Sequence, residues 1–444
     1  MAHTVAPMSS PKARAGSIAT TWEKLQGSES WKGLLPSSDH PDSLDADLRA
    51  SLIAYGELAE AAYDGLNAVK SSWDAGSPLY GHAGLLAASG VSHPEHYTVT
   101  KFLYATCDLR PWSGSSRSVS KALFVRQPKL SRAGPWWWQT NLIGYVAVAT
   151  DDGVRALGRR DIVVAWRGSV KVSEFLKDGA FLYASAAEGL DLSADARFAG
   201  TNVHGGFLSV YKTNNPIENY RTSQTDIVIG TSARDEARDE VQRLVEKHRG
   251  EKTSITVTGH SLGAALAVLN AVDIVAHGIN MPPASSKHLP TNPCPVTAIL
   301  FACPQVGDDN FGRAFASLPQ LRALHVKNAH DEVPNFPTGN FVDVATANLL
   351  IDTDRSPYLK PGTPLLTPIW YHNLQCYLHC LAGDQGTIKH FKLVVDRDIA
   401  LVNKSTDRLR EEYPVPAKWW VNANSYYKGK GVARFKLDYF EEEN

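Results

Sequence analysis

Cysteine is scarce and scattered in this chain. Five thiols in 444 residues, at Cys107, Cys294, Cys303, Cys376 and Cys380, do not make the dense, even-numbered framework of a disulfide-stapled protein. A reducing compartment is the expectation. Cys376 and Cys380 are four apart, on one face if the segment is helical, and are read as buried thiols rather than as a metal or redox pair. Long apolar runs are missing too. No window approaches the roughly 18 consecutive apolar residues of a spanning helix, so a membrane would be met from outside. There is almost no net charge, because 45 Lys and Arg face 46 Asp and Glu. That balance argues against a polyanionic partner, nucleic acid included. Neither an H-E-x-x-H motif nor an EF-hand loop is present, so neither zinc nor calcium chemistry is expected, and no cofactor is called for.

What remains has the length and the 43% apolar content of a chain able to bury a large core. The first twenty-two residues hold no acid but include Lys12 and Arg14. They fit a flexible tail over 1–20 and also resemble a short organellar transit peptide; a cytoplasmic, membrane-peripheral protein is expected, with a plastid as the other possibility. One unit over 21–425 and a C-terminal tail over 426–444 complete the expected organisation. Thr20-Thr21-Trp22-Glu23 reads as a helix start, and Asp45 to Asn67 as an amphipathic helix with Leu48, Leu52, Tyr55, Leu58, Ala62 and Leu66 at helical spacing. Arg110 to Ser131 reads as a surface insertion. Strands are expected at 142–150, 162–166, 254–258, 296–302 and 321–327, with Asp151-Asp152-Gly153 as a turn and helices over 231–248 and 262–276. Alternation of such elements predicts a mostly parallel sheet covered on both faces, an α/β fold. Asn403-Lys404-Ser405 matches a glycosylation sequon and is taken as a chance match.

The chemistry centres on Gly259-His260-Ser261-Leu262-Gly263, a G-x-S-x-G pattern between an expected strand and an expected helix. That context is what a nucleophile elbow requires. A serine raised on such a turn stands at a helix N-terminus, where N–H groups favour a nearby oxyanion. It needs a base, and the base an orienting carboxylate, in the order Ser, Asp, His. Asp331 lies just beyond the strand at 321–327, where ligands gather in α/β sheets; Asp308, Asp309 and Glu332 compete with it. For the base, His372, His379 and His390 lie downstream. His372 and His379 are seven apart, on one helical face, and periodicity does not choose between them. A second oxyanion donor besides the Leu262 N–H could come from Ser169, after the strand ending Trp166-Arg167-Gly168.

Together these residues resemble the successive signatures of class 3 lipases: Trp166-Arg167-Gly168-Ser169, Val203-His204-Gly205-Gly206-Phe207, Thr258 to Ala264, Cys303-Pro304-Gln305-Val306-Gly307-Asp308 and Asp331-Glu332-Val333-Pro334. Tyr55 to Asp64, Phe102 to Thr106, Ala400 to Ser405 and Trp419-Trp420-Val421 resemble more narrowly the plant phospholipase A1 branch without a long transit peptide. The resemblance implies an α/β-hydrolase fold, Ser261 as nucleophile, Asp331 as orienting acid, His372 as base, and Ser169 with Leu262 as oxyanion hole. Gly259 and Gly263 would be the elbow glycines. It implies a glycerolipid substrate met at a membrane or micelle interface and release of the sn-1 acyl chain, with no metal. The segment 170–182 stands where related lipases carry a lid, and Trp136-Trp137-Trp138 reads as a strand start or a lipid contact. Galactolipid or triacylglycerol hydrolysis, acyl transfer to another alcohol, and a non-catalytic scaffold are the alternatives carried forward.

Overall fold

The computed structural model describes residues 17–36, 44–68, 75–108, 138–169, 183–215, 230–282, 292–362, 370–384 and 391–420. The expected insertion at 110–131, Trp136 and Trp137, the lid segment 170–182 and His390 fall outside them.

Among the described residues seven strands form the central sheet, and their order in space is their order in the chain. They are β1 (Tyr97–Asp108), β2 (Trp138–Ala149), β3 (Arg160–Trp166), β4 (Thr253–His260), β5 (Val296–Phe301), β6 (Leu321–Asn328) and β7 (Ala347–Ile351). The first two pairings are antiparallel, and β3 to β7 run parallel. Trp138 opens β2, as the strand reading of the tryptophan run expected.

Each face of the sheet has its own core, because successive side chains of a strand point to opposite sides. Ile162, Val164 and Trp166 of β3 pack with α5 (Ala233–Lys247) and α6 (Leu262–Ala276). Val163 and Ala165 face α2 (Ala46–Asp64) and α8 (Leu374–Ala382). Side-chain caps fix where two of the helices between the parallel strands begin. Ser232 and Asp235 make a reciprocal capping box at α5. Asp308 accepts the Phe311 N–H at α7 (Asp309–Ser317).

Four expectations change here. The first helix, α1, spans Ser17–Leu25, so order begins before the tail boundary at residue 20 and before Thr20-Thr21. Asp151-Asp152-Gly153 is no turn but the start of α3 (Asp151–Leu157), which Thr150 caps through the Gly153 N–H and Gly158 closes at φ 75°. Helix α2 is not simply amphipathic: Arg49, Glu57, Glu60 and Asp64 are buried along with its apolar stripe. The C-terminal segment covers that second face, with Lys404 Nζ on Asp64 and on the Ser89 carbonyl, and the chain before it receives Arg49 through the Leu381 carbonyl. Asn403 is buried there, accepting the Arg408 and Leu409 N–H groups, as a chance sequon would allow. The fourth change separates the two histidines: Asn373 caps α8 through the Cys376 N–H, so His372 lies ahead of the helix and only His379 within it.

Parallel register brings three strand ends level. Trp166 pairs with Gly259, His260 with Phe301, and Phe301 with Val326. The chain leaving β3 reaches Ser169, that leaving β4 reaches Ser261, and that leaving β6 reaches Asp331.

Candidate active site

Strand β4 is buried throughout and passes straight into α6 with one residue between them, Ser261. No extended or helical conformation can make that corner, and Ser261 sits at φ 60°, ψ −131°. A non-glycine residue there stores about 1–3 kcal/mol, which the surrounding structure must hold. The hold is steric. A Cβ on Gly259 would lie 2.4 Å from the Gly263 carbonyl carbon and oxygen, and one on Gly263 would lie 2.3 Å from the Trp166 oxygen. Ser261 N–H donates to the Phe301 carbonyl at 2.9 Å, and its own carbonyl accepts from Ala264 N at 2.9 Å. The expected elbow is there, and both glycines are sterically required.

Asp331 and His372 meet. His372 Nδ1 lies 2.6 Å from Asp331 Oδ2, with both side chains fully shielded from solvent. The same oxygen accepts the Tyr377 hydroxyl at 2.7 Å, and Oδ1 accepts the Val333 N–H at 2.9 Å. With Nδ1 bonded to the acid, the other ring nitrogen, Nε2, is buried and has no hydrogen-bond partner among the described residues. The His372 ring lies 4.5 Å, centroid to centroid, from that of His260, the residue before Ser261.

The competitors are elsewhere. Asp308 caps α7 and binds Asn202, while Asp309 and Glu332 are exposed. His379 bonds the Ser356 hydroxyl at 2.8 Å and packs between Tyr358 and Phe391. It belongs to the core.

Ser169 follows the end of β3 and is buried, and its Oγ is another polar atom without a partner among the described residues. Leu262 is the first residue of α6, so its N–H is one of those a helix leaves unbonded. Arg167 fixes the turn between them, donating to the Leu142 and Gly168 carbonyls at 2.9 and 2.7 Å. Burial lowers its guanidinium to about 10.

Sequence reasoning missed the supports of this site. Asn328, at the end of β6, donates its amide to the Tyr371 carbonyl at 3.1 Å and its N–H to the Tyr377 hydroxyl at 3.1 Å. These partners are more than forty positions away, and no periodicity signals them. Two groups among the described residues bring His and carboxylate atoms within ligating reach of one another, His93-Glu95-His96 and His330-Asp352-Asp354. Both lie largely exposed, and neither includes a group placed at the elbow. Cys294, Cys303, Cys376 and Cys380 are not disulfide-bonded to one another.

The buried histidines make the fold acid-sensitive. Burial lowers His204 to about 4; burial and then Arg397 lower His379 to about 3; burial and then His372 lower His260 well below 6.5. Unfolding lets each return to its ordinary value near 6.5 and take up a proton the folded chain refuses. Stability is therefore present above pH 6.5 and is lost as the pH falls toward 4, by about 1.4 kcal/mol per histidine per pH unit. The thermal midpoint should drop steadily between pH 7 and 5. A constant or rising midpoint over that range would contradict the assignment.

Residues 163–341 match the family described as lipase (class 3), a span that holds Ser169, Ser261, Leu262 and Asp331 and stops short of His372. The chain is similar to phospholipase A1-II 7 of Oryza sativa subsp. indica, 51% identical over 96% of this chain and 98% of that one. It is 42% identical to phospholipase A1-IIgamma of Arabidopsis thaliana, over 94% of this chain and 91% of the relative. The solved Lip2 lipase from Yarrowia lipolytica is similar at a TM-score of 0.43 and 14% identity, covering 72% of this chain and 84% of that one. No helix among the described residues is long and apolar enough to cross a membrane. The chain belongs to the plant phospholipase A1-II family of class 3 lipases, and it is a carboxylic-ester hydrolase acting on lipids.

Proposed function

We propose that this hydrolase removes the sn-1 fatty acid of phospholipids through a Ser261-Asp331-His372 triad. The supporting observation is the buried His372, bound to Asp331 through Nδ1 and without a partner at Nε2 among the described residues, beside the serine elbow. Ser261 Oγ attacks the ester carbonyl as His372 takes its proton. The carbonyl oxygen becomes an oxyanion that the Ser169 hydroxyl and Leu262 N–H receive, each donor contributing about 3 kcal/mol. The proton then passes from His372 to the leaving lysolipid oxygen. Water, deprotonated by the same histidine, releases the fatty acid from Ser261. Asp331 keeps the proton of neutral His372 on Nδ1 and stabilises the imidazolium. The lipid is met at a membrane or micelle surface from the cytoplasmic side.

Phosphatidylcholine carrying different acyl chains at sn-1 and sn-2, offered beside a galactolipid and a triacylglycerol, tests the reading. Wild-type protein should release the sn-1 acid, and Ser261→Ala should release none. Preferential release of the sn-2 acid would overturn the regioselectivity. Faster release from the galactolipid or triacylglycerol would overturn the phospholipid preference. Transfer of the acyl group to an added alcohol in place of water would make the chain an acyltransferase.

A further inference from the structure

Tyr63 stands one residue before the end of α2, far in the chain from every group placed at the elbow. Its hydroxyl is nonetheless at the middle of the site. It lies 2.9 Å from His260 Nδ1 and 3.3 Å from the His260 carbonyl oxygen. A Cβ on Gly168 would fall 2.0 Å from that hydroxyl, 2.4 Å from the His260 carbonyl and 3.1 Å from Ser261 Cβ. Only a glycine allows the three segments to close on one another.

The Tyr63 hydroxyl and His260 Nδ1 bond to each other whichever of the two carries the shared proton, and the His260 carbonyl is a second acceptor for the phenol. Burial and the neighbouring His372 keep the His260 ring uncharged at neutral pH. Its neutrality matters because His372, 4.5 Å away, must become an imidazolium when it accepts the serine proton. A second cation at that distance in a buried site would oppose this.

We propose that Tyr63 is a positioning residue, tying the oxyanion turn at Gly168 to the serine elbow and holding the His260 ring as a plate against His372. The proposal rests on Ser261 and His372 being nucleophile and base. It assigns to a helix outside the matched span of residues 163–341 the task of aligning the groups within it. Groups that act only in the transition state affect kcat and leave KM alone.

Tyr63→Phe in the full chain keeps the ring and removes the hydroxyl. Active sites are counted by titration with a fluorophosphonate, and kcat and KM are measured with 4-nitrophenyl butyrate. Per titrated site, kcat should fall about tenfold, the effect of one hydrogen bond of about 1.4 kcal/mol, with KM unchanged within twofold. Phosphonylation should slow by a similar factor. A kcat per site within twofold of wild type overturns the proposal, as does a loss confined to the number of titratable sites. His260→Gln keeps an acceptor for Tyr63 but removes the plate. It should lose activity similarly, and it carries the test if Tyr63→Phe does not fold. Failure of the underlying triad reads differently: wild-type protein would then not react with the fluorophosphonate at all, and the Tyr63 assignment would fall with it.

Discussion

Asp331→Asn is expected to lower kcat by about four orders of magnitude, about 5.4 kcal/mol, in a protein that still folds. The reason lies in the three donors around the carboxylate. Oδ2 takes His372 Nδ1 and the Tyr377 hydroxyl, and Oδ1 takes the Val333 N–H. An amide has one oxygen, so one side must present NH2. Turned toward Val333, the NH2 opposes a backbone N–H. Turned toward His372, it makes Nδ1 an acceptor and moves the ring proton to Nε2, where the base must be free. Either way the imidazolium loses its counter-charge. Ser261→Ala should cost more, about six orders, since the covalent step disappears and only binding and the oxyanion donors remain. His372→Ala should match Ser261→Ala, and the double variant should be no worse than either single one, because residues acting as a unit are not additive. Turnover of 4-nitrophenyl butyrate per mole of folded protein measures the series. An Asp331→Asn variant retaining more than about a hundredth of wild-type kcat would contradict the assignment, given the four orders expected.

Gly263→Ala carries the second large effect, from adding one methyl group. Its Cβ would lie 2.3 Å from the Trp166 oxygen and 2.8 Å from the Arg167 carbonyl carbon. Both are backbone atoms where β3 ends, in the parallel part of the sheet, and Trp166 is fully buried. They have no flexible end to move aside. Either α6 withdraws from β3, parting Ser261 and Leu262 from Ser169, or the strand shifts. Overpacking of this kind costs about 1–3 kcal/mol or more, and a displacement of about 1 Å at a reacting group costs about a hundredfold in rate. The variant should show a lowered thermal midpoint together with a kcat reduced at least that far. Gly250→Ala is the contrast, since a Cβ there meets nothing within 4 Å. It should leave both quantities near wild type. Equal behaviour of the two variants would show that the steric account of the elbow is wrong.

Much of this protein is legible along the chain because the relevant physics is local. The strand at 253–260, the lone serine and the helix at 262–276 follow from apolar runs and two glycines, since a corner that tight excludes Cβ atoms whatever lies around it. The helix at 233–247 announces itself through Ser232 and Asp235, which satisfy each other's backbone. The short segment after Thr150 misled for a related reason: Asp-Asp-Gly suits a turn and a capped helix start equally well, and the Gly158 ending seven residues later decided.

Local pattern along the chain marks the elbow with Ser261, the alternation that builds the sheet, and a short list of acids and histidines. Which of those acids and histidines meet is set by packing between distant segments. His372 and His379 differ because Asn373 caps a helix between them, leaving one ring at the strand ends and sending the other into the core. Asp331 is set apart from Asp308, Asp309 and Glu332 by meeting His372 across forty-one positions. Tyr63 reaches Gly168 and His260 only because helix α2 packs on the sheet. Such choices depend on distances between residues far apart in the chain, which the packing of the sheet sets and no local pattern encodes.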